Sequence, residues 1–135
     1  MTQKIQSGGI TIEQQSDEDL LLIEAYGDGG FRLMGRRVEG ATLVLKDGFY
    51  PVEATEVSEL SAASFDRLMT QGTDETDILL IGTGEKMQLL PAAVRSHLDQ
   101  NGIGFDIMDT GAAARTYNVL MLEGRRVAAL LLPVA

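Results

Sequence analysis

Residues 104–132 read GFDIMDTGAAARTYNVLMLEGRRVAALLL. This stretch decides the fold, because two short apolar runs flank one helical pattern. Residues 104–108 have the length and apolar content of a strand, and Asp109 or Thr110 is suited to cap a helix that continues to about Leu122. Residues 126–132, wholly apolar from position 127, form the next strand. This order is typical of an α/β sheet that is covered on both faces.

The residues before this stretch repeat the same alternation. Residues 77–81 form a short apolar run, and Pro91 is suited to open a second helix that continues to Gln100. An earlier helical pattern starts at Ser61 and ends at Gly72. The second half of the chain therefore predicts strand, helix, strand, helix and strand in one sheet. We expect the last strand at the centre of that sheet, since an exposed strand so apolar favours aggregation.

The first half of the chain is predicted to contain short strands and turns. Residues 46–48, Lys-Asp-Gly, separate two apolar runs, which is typical of a hairpin with a tight turn of positive φ. Residues 36–40 are mostly polar and are predicted to form a corner of the chain. The expected fold class is α/β in three layers, with helices on both faces of the sheet and N-terminal β-hairpins that extend or cover it.

Length and composition indicate one domain with its own core. The chain has 135 residues, of which 44% are hydrophobic. Residues 1–18 mix Gln, Ser, Gly and acids, so we expect a flexible N-terminal arm, with one edge strand at residues 10–12. Residues 19–135 are expected to form a single α/β domain.

Charge and residue usage exclude several function classes. The net charge of −9 opposes binding to a phosphate backbone, so we expect no nucleic-acid partner. Without cysteine, the chain has no disulfide, no thiolate metal site and no cysteine nucleophile. The N-terminus lacks the pattern of a signal or transit peptide, and residues 127–132 are too few to span a bilayer. The expectation is a cytoplasmic protein without a membrane span.

Residues 78–86, ILLIGTGEK, resemble a strand that continues into a glycine loop. Neither the Walker A pattern nor the GxGxxG fingerprint fits, because no hydroxyl residue follows Lys86 and Pro91 lies seven residues beyond Gly84. The simplest interpretation is that Gly82 and Gly84 let the chain leave a buried strand sharply.

A second interpretation treats this loop as half of a ligand site. If strands 77–81 and 104–108 are parallel neighbours, the loops 82–84 and 109–111 leave the same sheet edge and face each other across a crevice. The helix that follows carries Arg-Thr-Tyr-Asn against its own helix propensity, which indicates either a buried structural network or a binding site. Lys86 is a lesser candidate at the rim. The candidate ligand-binding residues are Gly82, Thr83, Gly84, Thr110, Arg115, Thr116 and Asn118.

The sequence contains no recognisable catalytic set. His97 is the single histidine, and its place in the second helix favours a solvated position. No pair of histidines is present for a metal, and no serine lies in a nucleophile-elbow context. We therefore expect no metal, no cofactor and no catalytic residues, although the sequence leaves open whether the chain is an enzyme.

Three sets of residues together carry a family resemblance. They are Gly82-Thr83-Gly84, residues 110–118 and residues 123–125, and the similarity extends over residues 20–133. The chain resembles a widespread family of small uncharacterised domains whose members include mitochondrial complex I assembly factor 3. The resemblance implies a three-layer α/β fold with a mixed sheet, no established reaction, and action through protein partners.

Two function hypotheses follow. The preferred one is a non-enzymatic interaction or assembly factor, for instance for respiratory or membrane complexes, with a protein partner. The alternative is a module or enzyme that binds a small anionic ligand in the crevice between loops 82–84 and 109–111. A homodimer is left open by the sequence.

Overall fold

The computed structural model describes residues 20–135. The expected arm (1–18) and its strand (10–12) lie outside the described residues. In chain order the strands are β1 (Ile23–Gly27), β2 (Gly30–Leu33), β3 (Arg36–Glu39), β4 (Ala41–Leu45), β5 (Gly48–Val52), β6 (Ile78–Gly82), β7 (Phe105–Met108) and β8 (Val127–Leu131). The α-helices are α1 (Asp66–Gln71), α2 (Ala92–Gln100) and α3 (Thr110–Leu122). Three short 3₁₀ helices join β5 to β6, at Val57–Glu59, Ala62–Phe65 and Thr73–Glu75.

The strands form two sheets. The larger sheet has the order β5-β4-β8-β6-β7, and the smaller has the order β1-β2-β3. β6 is parallel to both β7 and β8, whereas β4 is antiparallel to β8 and β5. The larger sheet is therefore mixed, as the resemblance implied. β8 pairs on both of its edges, which confirms the expected central position.

The larger sheet separates two apolar layers, because its side chains alternate between the two faces. Leu79 and Ile81 of β6 pack with residues of α1, α2 and the 3₁₀ helices. Leu80 points to the other face, where α3 and the smaller sheet cover it. The expected three-layer α/β fold is confirmed, as is the predicted order of strands and helices over residues 77–132.

The smaller sheet corrects one expectation. The polar corner predicted at residues 36–40 is strand β3, which pairs with β2 after a tight turn at Met34 and Gly35. Both turn residues have positive φ, 53° and 73°. Methionine rarely adopts this conformation, so residues 34–35 carry no turn signal in the sequence. The charged side chains of β3 suit an exposed edge strand.

The predicted hairpin between β4 and β5 is present, but its turn differs from the expected one. Leu45 pairs with Gly48, so Lys46 and Asp47 form the turn. Neither of these two residues has a positive φ. Gly48 adopts the unusual backbone instead, with φ 156°, as the first residue of β5.

Candidate functional site

The parallel pairing of β6 and β7 brings the two predicted loops together at one edge of the larger sheet. The Thr83 amide donates to the Met108 carbonyl at 2.9 Å, and the Thr110 amide donates to the Gly84 carbonyl at 2.8 Å. Gly82, Thr83, Gly84 and Thr110 are all buried. The loops therefore contact each other directly through their backbones.

The Thr110 hydroxyl joins three segments of the chain. It accepts a hydrogen bond from the Gly84 amide at 2.9 Å and donates to the Leu132 carbonyl at 2.7 Å. A hydroxyl has a single proton to donate, so its donor capacity is used within the protein. This side chain thus ties the start of α3 to the residues that follow β6 and β8.

The Thr83 hydroxyl organises the segment between β6 and α2. It donates to the Lys86 carbonyl at 2.7 Å and accepts from the Gln88 amide at 3.1 Å. Both of these contacts lie within five residues of Thr83, so its buried hydroxyl links the backbone at Lys86 and Gln88 to the end of β6. Met87 and Leu89 in this segment are 57% and 68% exposed.

Close packing explains the first glycine of the loop. A Cβ atom at Gly82 would lie 2.8 Å from the Thr110 Cα and 3.0 Å from the Leu131 Cδ2. Only glycine lets α3 approach β6 this closely. Gly84 has a φ of 103°, which suits the sharp exit of the chain from the strand. These two positions fit the simpler interpretation of the glycine loop, in which it turns the chain.

The amides at the start of α3 have a partner within the chain. Asp109 is the N-cap residue, and its carboxylate accepts from the Ala112 amide at 2.9 Å. This is the capping role that the sequence predicted for Asp109 or Thr110.

Tyr117 and Asn118 bind the backbone of the segment that enters β1. The Asn118 side chain accepts from the Ile23 amide and donates to the Ile23 carbonyl, both at 2.8 Å. The fully buried Tyr117 hydroxyl donates to the Leu21 carbonyl at 2.8 Å. Burial raises the pKa of the Tyr117 phenol above its usual value of 10.0. Two residues of the polar run on α3, Tyr117 and Asn118, thus hold residues 21–23 by hydrogen bonds. Tyr117 was not among the predicted ligand-binding residues.

Arg115 and Thr116 take no part in the hydrogen bonds between the two loops. Arg115 is exposed and donates to the Tyr26 hydroxyl at 3.1 Å, whereas Thr116 is half-buried. Tyr26 also covers Gly111, where a Cβ atom would lie 2.6 Å from its hydroxyl oxygen. Arg115 was predicted to bind a ligand, and its side-chain partner in the structure is the Tyr26 hydroxyl. This contact arises because β1 passes over the first turn of α3.

Acidic residues and the single histidine are the remaining candidate metal ligands. Residues 20–135 contain no group of three His, Asp or Glu side chains arranged to hold a metal. His97 is half-buried rather than solvated, and its Nε2 atom is buried with no hydrogen-bond partner in the described part of the chain.

Comparison with known proteins agrees with the resemblance seen in the sequence. A family described as protein of unknown function, DUF498/DUF598, matches residues 23–132. An uncharacterised protein of Rhodobacter capsulatus is 36% identical over 114 residues, which are 84% of this chain and 86% of the relative. NADH dehydrogenase (ubiquinone) 1 alpha subcomplex assembly factor 3 of Homo sapiens is 28% identical over 124 residues, which are 92% of this chain and 67% of the relative.

A solved structure has the same fold. It is described as an outer membrane protein from Bartonella henselae, with a TM-score of 0.79 and 38% sequence identity. The match covers 86% of this chain and 97% of that one. From the match over residues 23–132, the chain belongs to the DUF498/DUF598 family of proteins of unknown function.

Proposed function

We propose that this chain is a non-enzymatic interaction protein that helps to assemble a respiratory or other membrane complex. The human relative is named as an assembly factor, and 92% of this chain aligns with it. The observation that carries the proposal is the exposure of Met87 and Leu89 in the segment that the buried Thr83 hydroxyl binds. A cytoplasmic location is part of the proposal.

The exposure of Met87 and Leu89 is built into the structure. The buried Thr83 hydroxyl binds backbone atoms on both sides of Met87, so the segment has little freedom to turn its apolar side chains inward. A partner that buried both side chains would gain about 1.5–3 kcal/mol from each. Since the segment is already ordered, little conformational entropy opposes that gain.

The polar groups nearby favour interaction over chemistry. The hydroxyls of Thr83 and Thr110 and the amide of Asn118 are all bonded to the chain's own backbone. A catalytic site needs groups that can reach a substrate. None of the helices in residues 20–135 has the length and apolar content of a membrane span.

The test is affinity capture from the membrane fraction of cells that express the tagged chain. The double variant Met87→Ser/Leu89→Ser should lose respiratory-complex subunits that the wild type captures. A matched control is Val119→Ser/Leu122→Ser, which removes two apolar side chains of 53% and 50% exposure from α3. Equal capture by wild type and the Met87/Leu89 variant would refute this surface. Wild-type capture without subunits of any membrane complex would refute the assembly role.

The alternative function is the binding of a small anionic ligand between loops 82–84 and 109–111. It is less well supported, because Gly82, Thr83, Gly84 and Thr110 are buried and the two loops are bonded to each other. Arg115 is an exposed side chain beside Gly111. We expect Arg115→Met to stay folded with a loss below about 1 kcal/mol, since an exposed hydrogen bond contributes little. Titration with inorganic phosphate, followed by NMR, would favour the alternative if wild-type amides at 83–84 and 110–112 shifted saturably and those of the variant did not.

A further inference from the structure

A cavity lies at the junction of the two sheets, near the C-terminal end of α3. It has a volume of about 630 Å³, within the range typical of small-molecule sites. It is open to solvent, and it is lined by the segment before β1, the turn between β2 and β3, the turn between β4 and β5, and the C-terminal half of α3. Its described lining residues are Leu20, Leu21, Met34, Arg36, Lys46, Asp47, Gly48, Phe49 and Met121. None of them belongs to loops 82–84 and 109–111 or to the Met87/Leu89 segment.

The walls of the cavity are apolar and adaptable. Five of its nine lining residues are Leu, Met or Phe. Met34 and Met121 have flexible, polarizable side chains that can adjust to the outline of a guest. Such walls favour an unbranched hydrocarbon body over a rigid polar one.

The rim of the cavity is basic within an acidic chain. Arg36, Lys46 and Asp47 give the lining a net charge of +1, from two cations and one anion, whereas the whole chain carries −9. Lys46 is already paired with Glu75, and Asp47 accepts a hydrogen bond from the Tyr50 hydroxyl at 2.9 Å. Arg36 forms no salt bridge with any carboxylate in residues 20–135. Its guanidinium is the cation best able to receive an acidic head group.

The position of Arg36 follows from strand alternation. Side chains two residues apart on a strand share a face. Val38 packs into the core between the two sheets, so Arg36 lies on the same inner face of β3 and reaches the cavity. Arg37 points the other way, where it pairs with Glu39 at 2.9 Å.

We propose that this cavity binds an amphipathic anion with a single alkyl chain. The chain lies against the leucines, methionines and Phe49, and the head group forms charge-assisted hydrogen bonds with Arg36. A fatty acid and a single-chain phospholipid share this chemistry, since each has one acidic head and one hydrocarbon tail. The proposal is independent of the assembly role and of the Met87/Leu89 surface.

The experiment compares four probes with a twelve-carbon chain on the full-length protein, below the micellar concentrations of the ionic probes and the solubility limit of the alcohol. They are dodecanoate, dodecyl phosphate, dodecanol and dodecyltrimethylammonium. Isothermal titration calorimetry gives the affinities, and the methionine methyl resonances report the place of binding. We expect one or both anions to bind more tightly than dodecanol, and dodecyltrimethylammonium to bind most weakly. The methyl signals of Met34 and Met121 should shift, while that of Met87 stays unchanged. The stronger anion distinguishes a carboxylate from a phosphate ligand.

Two variants complete the test. Arg36→Gln should weaken binding of the anions by about tenfold and leave dodecanol binding unchanged, because only the anions use the guanidinium. Arg37→Gln, on the opposite face of the same strand, should leave all affinities unchanged. The proposal is overturned if no anion binds, if all four probes bind equally, if Met34 and Met121 do not shift, or if the two variants behave alike.

Discussion

The Asn118 side chain supplies the hydrogen bonds that a neighbouring strand would make at the start of β1. β1 is an edge strand of the smaller sheet, and the Asn118 amide supplies both a donor and an acceptor to Ile23 on its open side. Replacement by a smaller apolar residue leaves an amide and a carbonyl without partners. The Asn118 side chain thus bonds α3 directly to the smaller sheet.

We predict that Asn118→Ala lowers the free energy of unfolding by about 2 kcal/mol, since each unpaired, partly buried group costs on the order of 1 kcal/mol or more. Urea denaturation measures the loss, and amide hydrogen exchange at Ile23 should become faster. Asn101→Ala is the control, because Asn101 bonds only the exposed His97 carbonyl on its own helix. Equal losses of unfolding free energy in the two variants would contradict this role of Asn118.

Tyr117 makes stability depend on alkaline pH. Burial raises the pKa of its phenol above 10.0 in the folded state, so the unfolded chain loses this proton first as pH rises. The stability contribution is complete below about pH 10 and falls above it, by about 1.4 kcal/mol per pH unit for one group. We predict that the wild type loses stability more steeply than Tyr117→Phe between about pH 10 and pH 11.

The comparison with Tyr117→Phe isolates this group, since the other two tyrosines are present in both proteins. At about pH 8 the variant should itself be less stable by about 1 kcal/mol, because the Leu21 carbonyl loses its partner. Urea denaturation at several pH values gives both quantities. Parallel pH profiles for the two proteins would show that the phenol stays accessible to water in the folded state.

Some residue contacts were predictable and others were not. The proximity of Thr83 and Thr110 followed from two loops that leave parallel strands. The destinations of their hydroxyl bonds did not, since Leu132 lies 22 residues from Thr110 in sequence and meets it only in the folded sheet. Whether the seven predicted residues bind a ligand is a prediction that phosphate titration can test.

At the scale of elements, the distance between α3 and β6 is set by one glycine. We predict that Gly82→Ala lowers the free energy of unfolding by at least about 2 kcal/mol, because its methyl group would push against the Thr110 backbone. Gly104→Ala is the matched control, since a Cβ atom there would lie 3.7 Å from its nearest neighbour, the Asp77 carbonyl. The control should change stability by less than about 0.5 kcal/mol. Thermal and urea denaturation measure both changes in stability. Equal changes in the two variants would refute the tight packing of α3 against β6 at Gly82.

Helix ends that proline or glycine marks in the sequence were predicted correctly. Pro91 and Gly72 lie where a helix begins or ends, as the sequence indicated. β3 was missed because its turn uses Met34 in a conformation that methionine seldom adopts. Sequence patterns report local preferences, and here tertiary pairing with β2 prevailed over them.

At the scale of the whole molecule, the charge of −9 determines how the chain meets polyanions. We predict negligible binding to duplex DNA at about 0.15 M salt, because repulsion of the phosphates outweighs local contacts. A gel-shift titration with a random-sequence duplex measures this, with a basic DNA-binding protein as positive control. Saturable binding would show a local basic surface strong enough to overcome the net charge.

The central place of β8 has a consequence for biosynthesis. β4 and β6 do not pair with each other, and only β8, synthesised about 45 residues after β6, joins them. Before β8 is synthesised, the β4–β5 hairpin has no strand that joins it to β6 and β7, and β4 and β6 each have an open apolar edge. Unpaired strand edges of this kind favour pairing with other nascent chains. We therefore expect the nascent chain to need a chaperone that prevents aggregation until β8 has left the ribosomal exit tunnel.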